Sequence, residues 1–403
     1  MSSAKNALLV VVAAVLPLVV FELGVRIFSP QLPSIYEADS TLLYRLVPNG
    51  RKTYLHRPGN GGSSIPISIN ADGYRGPPLS TDSRVKRVVV YGDSFIEGEF
   101  SPDSATFVRV LERQLRAKSP TPVEVVNAGV VGYGPDQELR KMEGEIERLR
   151  PSLLILAIFA DNDLGDLVRD RMFRLTPDSQ LVRNEFVLDP ALQAYLAREA
   201  HPAGMRRFHA VRWLLRRNSD RDRTLLIGKY PDPKRIYKEY MGWALARSAD
   251  DYASFVERKS DTVRAPLGDY YDLDVAATPD VPSARYKRAV MSRLFGEFRK
   301  TADAAGIPLA VVVIPSPIDA CEKYDFVVDP ARYPGYDRTR LSRVIASMAQ
   351  ERGLATLNLW SPFAAAGACS LYFRFGNNHW NGAGQAVAAG IVADSLQQWG
   401  MWR

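Results

Sequence analysis

VVVYGDSFIEG, residues 88–98, is the stretch whose reading decides the fold. The β-branched run Val88, Val89 and Val90 reads as a buried parallel strand, and it breaks at Gly92-Asp93-Ser94-Phe95 before a helical pattern resumes near Thr106. A strand that ends in such a turn sets a serine at the carboxyl edge of a sheet, where open α/β sheets bind their ligands. Ser94 is therefore a candidate nucleophile. Gly-Asp-Ser is also ordinary turn chemistry, because glycine admits positive φ while Asp and Ser bond to their own backbone. The triplet alone leaves both readings open.

Outward from this stretch one theme repeats. The strand at 85–91 leads to a helix over 106–117 with Phe107, Val110, Leu111 and Leu115 on one face. A second strand at 123–126 ends in NAGVVGYGP, residues 127–135, before a polar helix to about Arg150, and a third at 153–159 ends in Ala160-Asp161-Asn162-Asp163. The rhythm stops at 164 and resumes after about 284. There a helix (286–305), a strand (309–314), a helix (336–350), a fifth strand (355–359) and a last helix (385–399) complete it. Strands alternating with helices through short turns make a doubly wound parallel sheet whose strand ends share one edge. The stretch 164–284 reads as a helical insertion beside that edge, suited to substrate selection. In it, residues 205–217 form an amphipathic helix with an apolar stripe (Phe208, Val211, Leu214, Leu215) and solvated arginines on the other faces.

The amino-terminal segment carries ALLVVVAAVLPLVVF, residues 7–21, extended to Phe28 with only Glu22 and Arg26 interrupting it. That is long enough to cross a bilayer core. Glu22 and Arg26, spaced i,i+4, can pair at the interface. FELGVRIFSP offers no small-x-small cleavage site, so 1–28 reads as a retained signal anchor. Lys5 on one side and Arg26, Arg45 and Arg51 on the other do not fix the orientation. A large domain after one short anchor is expected to be exported, here as a single-pass inner-membrane protein facing the periplasm. Residues 29–84, rich in Pro, Gly and Ser, read as a tether and irregular lead-in, with a short edge strand at 65–69 interrupted by Pro66.

Composition narrows the chemistry. The 403 residues are 46% hydrophobic and 24% charged, which is ordinary for a globular chain rather than a disordered one. A net charge of +7 admits anionic partners, yet no nucleic-acid signature accompanies it, and no nucleic-acid partner is expected. Two cysteines, Cys321 and Cys369, exclude a multi-cysteine zinc site and leave open a disulfide or two buried thiols. Acyl transfer needs a hydroxyl, a base and donors aimed at the developing anion. Ser94 supplies the hydroxyl, and His379, in GNNHWNGAG (residues 376–384), is the candidate base. The backbone N–H groups of Ser94 and Gly132 and the side-chain amide of Asn162 are candidate oxyanion donors. His56, His201 and His209 lie outside these blocks and read as structural or surface residues. Asp161 and Asp163 read as turn-capping groups, with no metal or cofactor expected. Trp380 and Tyr133 either line the pocket or pack beneath it.

GDSF at 92–95, NAGVVGYG at 127–134, FADND at 159–163 and NHWNGAG at 378–384 resemble the ordered blocks of the SGNH/GDSL hydrolase superfamily. INADGYRG, residues 69–76, resembles the lead-in of its membrane-anchored bacterial esterases. The resemblance covers 85–163 and 285–399 and implies a flavodoxin-like three-layer α/β/α sandwich on a five-stranded parallel sheet. It implies Ser94 as nucleophile, Gly132 and Asn162 as oxyanion donors, His379 as base, and activity on lipid or carbohydrate acyl esters, O-acetylated extracytoplasmic glycans among them. Two positions depart from the family pattern. Ala160 replaces a glycine, and Gly376 and Asn377 stand where an aspartate would orient the histidine. In serine proteases an asparagine at that position costs about 10⁴ in turnover. Asn377 can offer its carbonyl to the imidazole instead. The expectation is a serine esterase. An O-acyltransferase to a sugar hydroxyl and a catalytically weak glycan-binding or assembly protein are the alternatives.

Overall fold

A computed structural model describes residues 2–216, 220–229, 231 and 233–402. The chain opens with helix α1 (Ser2–Phe28) and two antiparallel hairpins, β1 (Tyr36–Asp39) with β2 (Leu43–Leu46) and β3 (Arg51–Leu55) with β4 (Ser64–Ser68). Next come β5 (Lys86–Tyr91), the single turn α2 (Ser94–Glu97), α3 (Phe107–Ala117), β6 (Val123–Asn127), α4 (Pro135–Leu149), β7 (Leu153–Ala160) and α5 (Asp163–Asp170). The insertion holds β8 (Phe173–Leu175), β9 (Leu181–Arg183), β10 (Val187–Leu188), α6 (Pro190–Ala200), α7 (His209–Arg216), α8 (Asp220–Ile227), α9 (Pro233–Tyr252), β11 (Thr262–Val263) and α10 (Leu273–Ala277). The sandwich resumes with α11 (Pro282–Ala305), β12 (Leu309–Pro315), α12 (Pro317–Ala320), α13 (Arg340–Glu351), β13 (Ala355–Asn358), α14 (Trp360–Ala365) and α15 (Gly382–Gln398).

The period-2 alternation of strand side chains builds the three layers. Val89, Tyr91, Leu154, Leu156, Ile158, Val311 and Val313 enter one core with residues of α4, α11 and α13. Val88, Val90, Leu153, Ile155, Phe159, Val312 and Ile314 enter the other with residues of α3 and α15. All four ladders of the five-stranded sheet are parallel, and the spatial order β13-β12-β7-β5-β6 is the doubly wound 2-1-3-4-5 arrangement in chain order. The order reverses between β5 and β7, so a crevice opens beyond their carboxyl ends. Ser94 sits there. The expected α/β sandwich is the observed one.

Two expectations need correction. Residues 29–84 are not a tether: Leu43, Tyr44, Leu46, Ile65, Ile67 and Ile69 of the hairpin segment are buried in the core shared with α4. Composition misleads here because the alternating apolar positions of each hairpin find a tertiary surface. β4 pairs only with β3, so Pro66 does occupy an edge strand. The insertion is also not purely helical, since β8 pairs with β9 and β10 with β11. It begins after α5, and the sandwich resumes at α11, at residue 282.

Cys321, at the end of α12, is bonded to Cys369, a few residues before the loop that carries His379. The bridge closes a sequence separation of 48, for which loop-closure entropy predicts about 4 kcal/mol. Replacing both cysteines with serine is therefore expected to lower the Tm of the full chain by roughly 5–10 °C, read by calorimetry or circular dichroism. An unchanged Tm would show that the bridge contributes nothing to stability.

Candidate active site

Ser94 is held by a turn with little slack. Asp93 caps α2 by accepting the N–H of Phe95 (2.8 Å), and Gly98, at φ +75°, closes the turn by donating to the Ser94 carbonyl (2.9 Å). The carbonyls at the end of the turn are satisfied from below: Asn127 Nδ2 donates to Ile96 O (2.8 Å), and buried Arg75 donates to Glu97 O (2.8 Å) and Ser101 O (2.6 Å). The INADGYRG segment is thus a brace under the turn that carries Ser94. Asn70 Oδ1 shapes that segment by accepting the N–H groups of Asp72 and Tyr74.

His379 arrives from the opposite end of the chain. Its ring stacks on Phe95 (centroids 4.7 Å apart, 19° between planes) and lies 4.2 Å from the Phe100 ring. Nε2 is 2.6 Å from Ser94 Oγ, and Nδ1 is 3.0 Å from Asn377 Oδ1. Asn377 Oδ1 also accepts the backbone N–H of His379 (3.1 Å), which fixes the amide with its oxygen toward the ring. An oxygen facing Nδ1 requires Nδ1 to carry the proton. Nε2 is then the free lone pair that accepts the Ser94 hydroxyl proton. Burial pushes the His379 pKa down to about 4, with Glu99 acting weakly the other way, so the imidazole is neutral at physiological pH.

Gly132 and Asn162 follow β6 and β7, so both lie at the edge that holds Ser94. Gly132 has φ +74°, and a Cβ there would overlap Leu267 Cδ2 and lie 2.8 Å from Tyr44 Oη, so only glycine fits. Among the described residues nothing accepts the Gly132 N–H. Its loop is held by Glu97, which is buried and accepts the N–H of Val131 (2.8 Å) and the hydroxyl of Tyr36 (2.8 Å). Asn162 Nδ2 donates one hydrogen to Asp166 Oδ2 (2.9 Å), leaving its second hydrogen for another acceptor. Asp166 is paired with Arg169, which also bonds the carbonyls of Pro266 and Gly268 and the carboxylate of Asp269. The insertion is therefore clamped against the loops of Gly132 and Asn162.

Arg75, Glu97 and Asp166 were not singled out from the sequence, although a signal for Glu97 existed. It is a charged residue three positions after Ser94, directly following Phe95 and Ile96, and such a residue is rarely buried without a partner. Burial, reinforced by nearby Glu99, raises its pKa to about 7. The other expected assignments fall outside the reacting pair. His56 bonds the Phe100 carbonyl, His201 pairs with Glu37, and His209 Nδ1 accepts the Gln31 N–H. Asp163 accepts the Phe159 N–H (2.7 Å), as a turn-capping group does, whereas Asp161 accepts from Ser316 Oγ (2.5 Å), 155 positions away, and so ties two strand ends together instead of capping its own turn. Trp380 and Tyr133 pack beneath the site, Trp380 donating to Phe95 O and Tyr133 bonding the Tyr44 carbonyl.

No protein-family profile matches the chain, and no curated protein does. Solved structures do. A lipase/acylhydrolase from Enterococcus faecalis is 11% identical over 78% of this chain and 96% of its own, with a TM-score of 0.33. A GDSL-like lipase from Bacteroides thetaiotaomicron is 11% identical over 78% of this chain and 88% of its own (TM-score 0.32). An acetyl-xylooligosaccharide esterase from Geobacillus is 12% identical over 77% of this chain and 94% of its own (TM-score 0.33). The blocks that resemble the SGNH/GDSL superfamily meet at one sheet edge. Each sits in a loop beyond a strand of the sheet, as the resemblance implies.

Two outcomes follow from this geometry. Because the base must be neutral to accept a proton, ester turnover (kcat/KM) is expected to stay flat from pH 7 to about 5 and to fall tenfold per unit below about 4. Asn377→Asp places a carboxylate beside Nδ1, which should move that acid limb to higher pH and raise the plateau at least roughly tenfold. A limb that does not move would mean Asn377 is not the group that governs His379. Gly132→Ala should lower kcat at least roughly 10²-fold, because the added methyl displaces the loop whose amide is free. Unchanged turnover would remove Gly132 from the site.

Proposed function

We propose that this chain is a membrane-anchored serine esterase of the SGNH/GDSL type that cleaves an acyl ester outside the cytoplasm. The observation that carries this is the 2.6 Å approach of Ser94 Oγ to a neutral His379 whose Nδ1–H donates a hydrogen bond to Asn377 Oδ1. In the reaction, Nε2 takes the hydroxyl proton as Ser94 Oγ attacks the ester carbonyl carbon. The carbonyl oxygen becomes an anion, for which the N–H groups of Ser94 and Gly132 and the second Asn162 hydrogen are the candidate donors. His379 then returns the proton to the departing alkoxide, leaving an acyl-serine and an alcohol. Water attacks the acyl-serine with Nε2 again accepting a proton, and Nε2 passes that proton to Ser94 Oγ as the acyl–Oγ bond breaks and the acid leaves. Asn377 fixes the ring tautomer but adds no charge to stabilise the imidazolium, so this site runs with less assistance than one with a carboxylate.

Phe100 against His379 and Leu267 beside Gly132 crowd the approach, which suits a short acyl group such as acetyl. An O-acetylated glycan is the substrate to test first. The same crowding supports a second reading, transfer of the acyl group to a sugar hydroxyl, because a site that excludes water favours another acceptor. Retention of the anchor is supported by the contacts of α1 with the body of the protein. Glu22 accepts the N–H groups of His209 (3.0 Å) and Ala210 (2.7 Å), and Phe21 packs edge-on against Trp213. The disulfide supports export to an oxidising compartment.

With p-nitrophenyl acetate, Ser94→Ala should lose at least about 10³-fold in kcat, and a fluorophosphonate probe should label the native chain but not the variant. Equal slow turnover by both proteins would leave the fold as a binding module. Acylated oligosaccharide appearing at the expense of free acetate would favour transfer over hydrolysis.

A further inference from the structure

The face that α7 presents to solvent is the wrong one for an exposed helix. Arg212 is buried beside Glu199 and Glu22, and Arg206 and Arg216 both reach Glu199 (3.6 and 3.0 Å). The solvated basic face expected from sequence is therefore largely tied down, while Arg217 lies outside the described residues. It is the apolar stripe that faces outward: Met205 is 67% exposed, Phe208 45%, Leu214 54% and Leu215 44%. A helix in water turns its apolar side inward, so this arrangement fits a helix whose surroundings are themselves apolar.

The position of α7 says what those surroundings are. From Ala7 to Phe21, the uncharged apolar run of α1 spans about 22 Å at 1.5 Å per residue, most of the hydrocarbon thickness of a bilayer. The next residue, Glu22, therefore falls at the membrane surface, and Glu22 is the residue whose carboxylate accepts the first N–H groups of α7. Between the two helices runs an apolar groove of about 390 Å³, lined by Leu18, Val19 and Leu23 of α1 and by Met205, Phe208 and Leu214. Arg207 is exposed in the turn before α7, and Arg26, about half exposed, lines the groove paired with Glu22 (2.6 Å). The groove is continuous with the exposed apolar surface of α1.

We propose that α7 and the turn before it lie in the headgroup layer of the bilayer crossed by α1, with phospholipid acyl chains filling the groove and anionic headgroups facing the arginines. This rests on the reading of α1 as a retained anchor. The protein then holds the membrane at two points, one spanning and one lying flat.

The test uses the full chain in vesicles of phosphatidylethanolamine and phosphatidylglycerol. Because both native cysteines are bridged, one added cysteine at a time can carry an environment-sensitive fluorophore: Phe208→Cys and Leu214→Cys on the proposed contact, Val12→Cys in the anchor and Leu55→Cys on the exposed edge of β3. Lipids spin-labelled at shallow acyl positions should quench the probes at 208 and 214 at least about twofold, deep labels should quench position 12 more strongly, and position 55 should stay unquenched. Quenching at 12 with none at 208 or 214 would overturn the lipid contact and leave the anchor standing. Quenching at none of the three would overturn both. Probes at 208 and 214 that escape lipid quenching yet become shielded as protein density rises would assign the groove to a second copy of the chain and overturn the proposal as well.

Discussion

One hydrogen bond, from Ser94 Oγ to His379 Nε2, joins residues 285 positions apart, and most of the structure can be understood as what keeps it short. The two residues leave the same sheet edge only because every strand is parallel, and each is then held separately. Ser94 is braced by Arg75 and Asn127, while His379 is stacked on Phe95 and anchored by Asn377. In the proposed reaction, either end moving by an ångström would cost roughly 10²-fold in proton transfer. The stiffness of the surrounding core is thus part of the chemistry.

The edge is crowded with acids that do not react. Asp161, Asp163, Asp166 and Glu97 are all buried, and burial raises each pKa. Each accepts a hydrogen bond that positions a loop or a donor, which is the use a buried carboxyl can serve without carrying a full charge. None is hydrogen-bonded to His379, whose two ring nitrogens are both taken. The imidazole is thereby left to a neutral partner amid several carboxyl groups. Its depressed pKa follows from that placement: burial disfavours the cation, and Glu99 offsets that only in part.

The sheet and the blocks that bring Ser94 and His379 together were legible in the sequence because their signals are local. Val88 to Val90 can hardly be anything but a buried strand, and the motifs around Ser94, Gly132, Asn162 and His379 each occupy one turn. What was not legible depends on distant partners. Leu43 and Ile67 are buried by tertiary contact that their Pro- and Gly-rich neighbourhood conceals. The orientation of α7 follows from Glu199 and Glu22, and no helical periodicity could say that its arginines turn inward. Asp166 matters because its oxygen meets Asn162 and Arg169, contacts that spacing alone does not fix. The pairing of Cys321 with Cys369 likewise required the α12 end and the pre-His379 loop to be seen side by side.

The hairpins between α1 and β5 have a consequence for reach. As a slack chain, the residues from 29 to 84 could pay out to about 180 Å, enough to let a catalytic head wander far from its point of attachment. Instead they are folded under the site: Tyr44 bonds the Val131 carbonyl, and Tyr36 bonds Glu97. The leash is reeled in. With α1 as the proposed anchor, a domain packed this way would not search a volume around its root; it would work at one fixed height, and its proposed substrate would have to be delivered there.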